Sequence, residues 1–324
     1  MDLIYTNSSW VDLGVLNAYL FDLSFGADEN NFEITLEANA PVLDSGALIY
    51  IENTEYGGIV DGIKATTGAG TITYFGRTWH GVLNSFVIEP PKGAGHYIAD
   101  GEAHDILNGL LFFNFEIHKS LPGGLFSVNP ESSGLIINGY QFDRYCKGYE
   151  GICKMLSKNG GKLTLAWFDR SVRLTAKPIE DYSEKAVDNE LALLSVEKHD
   201  KKINHLVCLG KGELTDREVI HLYVDQFGRI GDTKYYTGVD EITEVYEDVN
   251  TEDLRNDGIA QLEELRKVDT AEISLSETDD KPYDIGDIVG AVEYTTNVSV
   301  TEKVTQKIIR ILNGIVSIEY KTGG

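Results

Sequence analysis

In Phe32-Glu33-Ile34-Thr35-Leu36-Glu37 every second side chain is apolar, and a strand gathers such a set on one face while the intervening residues face water. A helix would scatter the same residues around its circumference, so the segment reads as one strand of a half-buried sheet. Short linkers elsewhere carry the same message. Asn313-Gly314 separates residues 304–311 from 315–320, and Asn-Gly is the pair that tight hairpin turns favour. Asp169-Arg170 separates 162–168 from 171–176 at the same length. Residues 47–54 and 58–65 flank Glu55-Tyr56-Gly57, and 70–75 follow a turn-rich stretch over 66–69. A β-meander is expected over roughly the first eighty residues, and the seventeen tyrosines lean the whole chain toward strands.

The pattern changes after Pro90-Pro91. Asp100 or Asp105 is placed to cap a helix through Ile106, Leu107, Leu110 and Leu111, and Tyr145, Tyr149, Ile152, Met155 and Leu156 recur at helical spacing before Asn159-Gly160-Gly161. Strands resume at 162–176, then at 204–210 and 219–224 with a turn at Gln226-Phe227-Gly228. Asn250 or Thr251 is placed to cap a helix near 251–267 whose Leu254, Ile259, Leu262 and Leu265 form one stripe. At least three strands occupy 271–321, one of them entered through Asp284-Ile285-Gly286-Asp287. The expected fold class is β-rich α+β: a first β-barrel-like domain at 1–92 with return strands at 161–185, an inserted α+β subdomain at 93–160, and a second β-barrel-like domain at 186–324.

Composition excludes several functions. With 52 acidic against 28 basic residues the net charge is -24, whereas a protein that grips nucleic acid needs clustered lysine and arginine, so stable nucleic-acid binding is not expected. The amino terminus has no basic region and carries Asp2, Asp12 and Asp22, so no secretory or transit signal is read there. No apolar stretch approaches the ~20 residues of a membrane helix. Cys146, Cys153 and Cys208 are too few for a disulfide framework and read as small core residues.

Catalytic patterns are missing too. Leu209-Gly210-Lys211-Gly212-Glu213 lacks the spacing and the hydroxyl of a phosphate-binding loop, and Gly68-Ala69-Gly70 precedes a strand where a dinucleotide fingerprint would open a helix. The seven histidines, at 80, 96, 104, 118, 199, 205 and 221, are scattered singly and form no metal motif or triad. Paired carboxylates such as Asp279-Asp280 and Glu263-Glu264 are expected by chance at this acidity. No cofactor, metal or catalytic residue is expected, and Trp10, Trp79 and Trp167 read as core filling.

Three stretches nonetheless resemble a known family. The passage 72–83, Ile-Thr-Tyr-Phe-Gly-Arg-Thr-Trp-His-Gly-Val-Leu, is similar to the strand, Gly-Arg, aromatic, short-helix passage of phage tail-hub proteins. Residues 204–214, followed by 217–223 and Tyr235-Tyr236-Thr237-Gly238, look like a siphophage tail family with a baseplate-hub-like fold, and 283–289 are similar to the last barrel of that fold. The motif positions, implied to be structural, are Gly76, Arg77, Trp79, Gly210, Gly212, Gly286 and Asp287.

The resemblance implies a virion subunit of the tail tip, made in the bacterial host cytoplasm, of an intact phage or a prophage-derived tail-like particle. It implies a homotrimeric ring, with a tail-tube or distal-tail protein and tip, spike or receptor-binding proteins as partners. If such a ring surrounds the genome's path, its carboxylates should line the bore, and Asp240, Glu241, Glu244, Glu247 and Asp248, with the segment 277–287, are the candidates. A tyrosine-rich β-module that stacks carbohydrate and a tail-borne cell-wall hydrolase are the competing readings.

Overall fold

The computed structural model describes residues 1–17, 19–66, 68, 70–114, 124–187, 192–197, 201–248, 253–266, 270–276, 283–293 and 298–323. The chain divides into two compact units: Met1–Leu194 together with Glu272–Gly324, and Ser195–Ala271.

The first unit opens with strands β1 (Leu3–Thr6), β2 (Asp12–Leu16), β3 (Tyr19–Gly26), β4 (Asn31–Glu37), β5 (Leu48–Tyr50), β6 (Gly57–Ala65) and β7 (Thr71–Thr78), followed by helix α1 (Trp79–Asn84). Next come β8 (Ile98–Glu102), α2 (Ala103–Gly109), a wider helical turn over Leu110–Asn114, β9 (Phe126–Val128), β10 (Ile136–Gln141) and α3 (Gly148–Lys158). Strands β11 (Gly161–Phe168), β12 (Ser171–Pro178), β13 (Asp181–Val187) and β14 (Ala192–Glu197) lead to the second unit. That unit contains β15 (His205–Leu209), β16 (Val219–Val224), β17 (Ile230–Gly231), β18 (Thr243–Glu247) and α4 (Leu254–Leu265). Strands β19 (Thr270–Ser276), β20 (Ile288–Glu293), β21 (Val298–Leu312) and β22 (Ile315–Thr322) complete the chain.

The main sheet runs β14-β19-β22-β21-β3-β4-β7-β6-β5-β1-β2, and a branch joins β21 to β20 and β20 to β13. Strand β21 makes the branch by changing partners along its length: residues 298–303 pair with β20, whereas 306–312 lie between β3 and β22. No sheet closes on itself among the described residues, so the barrel-like closure expected from the sequence gives way to an open, branched sheet. The β-rich α+β class stands.

Alternation does place the core. In β4, Phe32, Ile34 and Leu36 are buried and their neighbours are not, and they pack with Phe21, Leu23 and Ile309 in one apolar cluster. A second cluster joins α1, α2 and α3 to the inner face of the β11–β12 hairpin through Leu163, Leu165, Trp167, Val172 and Leu174. Asp169 and Arg170 turn that hairpin with φ of 49° and 65°, and Asn313 and Gly314 turn the β21–β22 hairpin with φ of 49° and 84°. Both pairs have the left-handed geometry of a two-residue turn that matches strand twist.

Two capping expectations are corrected. Glu102 caps α2, its carboxylate accepting from the backbone N–H groups of His104 and Asp105, while the Asp100 carboxylate accepts from Gly139 N. Glutamate reaches because Glu102 is itself extended and held by Ser133. Tyr145 lies outside α3 with φ of 58°, so the helical spacing begins after it. Asn250 and Thr251 lie outside the described residues, and Asp253 caps α4 through Asn256 N.

Candidate functional site

The Gly-Arg-aromatic passage occupies the end of β7 and the start of α1. Opposite it, β6 carries a bulge between Val60 and Gly62, and a bulge re-aims the residue it displaces. That residue is Asp61, whose carboxylate accepts from Arg77 Nε and Nη2, both at 2.8 Å, and from Arg77 N at 3.1 Å. Arg77 Nη1 also donates to Ser85 Oγ at 3.0 Å, tying the strand to the end of α1. Gly76 is required by proximity, since a Cβ there would lie 1.9 Å from the Ile59 carbonyl oxygen.

Thr78 then caps α1, and Trp79 turns inward with no exposed surface. Its ring stacks on Trp167 at 5.5 Å, and Trp167 stacks on Tyr50 at 4.1 Å. Trp10 is only partly buried and donates its indole N–H to the Gly46 carbonyl at 3.2 Å.

His80, next in α1, stacks on Phe25 at 4.2 Å and meets Tyr149 edge-on at 5.1 Å. Burial, with Lys307 adding to it, pushes its pKa down from the ordinary 6.5 to about 3. The unfolded chain therefore binds a proton below pH 6.5 that the folded chain refuses, and stability falls as pH drops through that range. The expected loss between pH 8 and pH 5 is about 2 kcal/mol from this residue. A His80→Phe variant keeps the stack and is expected to flatten that slope in denaturant titrations at the two pH values; an unchanged slope would assign it elsewhere.

The third motif lies in the turn that enters β20. Asp287 N donates to Asp284 O at 3.1 Å, and Asp284 N donates to Asp287 Oδ2 at 2.9 Å, so the turn closes on its own carboxylate. Gly286 permits this with φ of +102°. The buried Asp287 carboxylate also accepts from Glu180 N and from the buried Lys162 ammonium, the latter at 2.7 and 2.8 Å. Lys162 reaches Asp284 as well, at 2.9 Å, while the buried Lys307 holds Glu55 at 2.6 Å and lies 3.7 Å from Asp284.

The cluster sets three carboxylates against two ammonium groups. Burial works against the Lys162 ammonium, but hydrogen bonds to Asp287 and Asp284 outweigh it and raise its pKa. Burial likewise opposes ionisation of Asp284, yet Lys307 and Lys162 hold its carboxyl below the usual range. Glu55 goes the other way: burial pushes it up and Lys307 offsets only part of that.

In the second unit β17-β16-β15-β18 form a four-stranded sheet, with α4 packed through Leu254 and Leu262 on Leu206, Cys208, Leu222 and Val224. Gly210 lies where a Cβ would meet Leu254 Cδ2 at 2.8 Å, and Gly212 has φ of +99° with Asp216 O at 2.4 Å from a Cβ position. On the opposite face His205 Nε2 is hydrogen-bonded to His221 Nδ1 at 2.9 Å, and His205 Nδ1 reaches Glu241 Oε1 at 2.8 Å. Both rings stack with Tyr223. The histidines were read as scattered, but the register sets Val207 opposite His221 and His205 opposite Tyr223, which makes the two histidines diagonal neighbours. His118 and His199 lie outside the described residues.

The acidic candidates follow the same strand group. Asp240 pairs with Lys201 at 3.1 Å, Glu241 with Lys234 at 2.6 Å, and Glu247 with Arg217 at 2.5 Å. Asp248 accepts from the Tyr246 hydroxyl at 3.3 Å, and Glu244 is exposed on β18. Of the segment 277–287, residues 277–282 lie outside the described residues, and Asp284 and Asp287 belong to the ion cluster.

Among the described residues no group of three or more histidine, cysteine or carboxylate side chains is arranged to hold a metal, and no helix is long and apolar enough to cross a membrane. Burial raises the thiol pKa of Cys146 and Cys208 and pushes that of Cys153 up to about 12, which disfavours the thiolate, the reactive form, at each.

No protein-family model and no curated protein sequence matches the chain. Solved structures do. The 43 kDa tail protein of prophage MuSo2 from Shewanella oneidensis is similar with a TM-score of 0.57 at 11% identity, over 100% of this chain and 98% of that one. A chain of the phage P2 baseplate in its activated conformation gives 0.54 at 10% identity, over 100% and 99%. Prophage tail protein gp18 from Listeria monocytogenes EGD-e gives 0.52 at 11% identity, over 99% and 94%. The chain has the hub-like fold of phage tail and baseplate proteins, as the resemblance in its sequence implied.

Proposed function

We infer that this chain is a structural subunit of a phage or phage-derived tail tip, and that it works by assembly rather than catalysis. Three copies form a ring that joins the tail tube to tip or receptor-binding proteins and lets DNA pass. The observation that carries this reading is coverage: similarity to the three tail and baseplate chains named above extends over 94% or more of each of them. The motif residues support it because each serves the fold, through a bulge, a turn, close packing or a buried ion pair.

In that ring Glu244, Asp248 and their neighbours face the bore, where negative charge keeps a phosphate backbone from sticking. Three of the five carboxylates already hold cations, so the wall repels more gently than the raw count of acids implies. Light scattering on the purified chain, alone and mixed with its tail-tube protein, is expected to give a trimeric mass or a co-assembled ring. A strict monomer in both would overturn the reading.

A further inference from the structure

The β11–β12 hairpin has a second face, turned away from the apolar core. The register pairs Lys162 with Lys177, Thr164 with Thr175, Ala166 with Arg173 and Phe168 with Ser171, and these residues share one side of the pleat. Together with residues 53–56, Asp284, Lys307 and part of β22, this face from Thr164 to Phe168 and from Arg173 to Lys177 bounds a cleft of about 470 Å³.

Its electrostatics run against the rest of the protein. Lys162 and Lys307 are satisfied by Asp287, Asp284 and Glu55, but Arg173 and Lys177 make no ion pair among the described residues. The Arg173 guanidinium carbon lies 3.9 Å from the Phe168 ring centroid, within cation–π range. Its Nε–H is closed off from solvent and has no acceptor among the described residues. Lys177 lies close enough to pull down the pKa of Asp284 and Glu55. Two cations without an ion pair, one of them with an unsatisfied donor, thus line one wall of a cleft whose other charged side chains are Lys307, Glu55 and Asp284, in a chain of net charge -24.

We propose that this cleft is a binding site for an acidic peptide segment, with one carboxylate received by Arg173 and a second by Lys177. Arg173 and Lys177 are four residues apart on one strand face, about 13 Å along the pleat. An extended peptide whose carboxylates are also four residues apart matches that span, and the Thr164 and Thr175 side chains between them supply polar contacts. A forked guanidinium suits a carboxylate in the two-pronged mode.

The test uses the full chain and a fluorescent synthetic peptide of residues 240–248, whose Asp240, Glu244 and Asp248 have the required spacing. Anisotropy is expected to show salt-sensitive binding, at least tenfold weaker for Arg173→Ala and for Lys177→Ala. Lys177→Glu should lose the acidic peptide and gain one in which Glu244 is lysine. Both side chains sit on the cleft wall outside the apolar core, and circular dichroism checks that the fold is kept. No binding by the wild type, or binding that the substitutions leave unchanged, overturns the proposal. Tighter binding of a short DNA duplex than of the peptide overturns it in favour of phosphate. Light scattering reads the ring separately, so either idea can fail alone.

Discussion

Replacing Asp287 with alanine is expected to lower the unfolding free energy by about 3–5 kcal/mol, the usual cost of stranding one partner of a buried ion pair. Lys162 is the partner stranded: its side chain is 2% exposed, and Asp284 alone, 29% exposed, would have to neutralise it. The turn loses an anchor as well, because Asp284 N and Glu180 N both donate to the same carboxylate. Removing both charges in an Asp287→Leu, Lys162→Met double variant should recover much of the loss, since an apolar pair of similar volume avoids the desolvation of two ions. Trp10, Trp79 and Trp167 all lie in the first unit, so tryptophan fluorescence in a denaturant titration follows the unit that holds the cluster. A single variant as stable as the wild type would mean that Lys162 reaches water on its own.

Trp79→Ala should be of comparable size, about 3–5 kcal/mol for truncating a fully buried aromatic. The ring fills the space that Gly57 leaves open, where a Cβ would lie 2.7 Å from the indole, and its removal unstacks Trp167. The indole N–H has no hydrogen-bond partner among the described residues, so Trp79→Phe gives up ring area but no hydrogen bond and is expected to cost well under half as much. Equal losses for the two variants, by the fluorescence of the remaining tryptophans, would show that the nitrogen has a hidden acceptor.

Local signals in the sequence carried far. Period-two burial in β4, the turns at Asp169-Arg170 and Asn313-Gly314, and the leucine stripe of α4 depend on neighbouring residues alone, and the structure has each. The resemblance around Gly76-Arg77 pointed to the right fold because its residues answer a local demand, a bulge that leaves no room for a Cβ. What stayed hidden depends on distance along the chain. Lys162 and Asp287 are 125 positions apart, and nothing near either marks it as half of a buried pair. The Arg173 cleft was equally silent, since its character comes from which cations are left unpaired. Barrel closure was overread, because strand count and alternation look the same in a sheet that closes and one that branches.

The partner change along β21 also orders events in time. Strand β3 sits between β4 and β21, and contacts such as Arg310 to Asp22 span 288 positions. Loop closure over such a distance is slow compared with forming a local hairpin. Until it happens β3 has one bare edge, and an unpaired edge is the surface on which strands of other chains add. The same residues that later knit the two ends of the chain together are, during synthesis, the ones most open to the wrong partner.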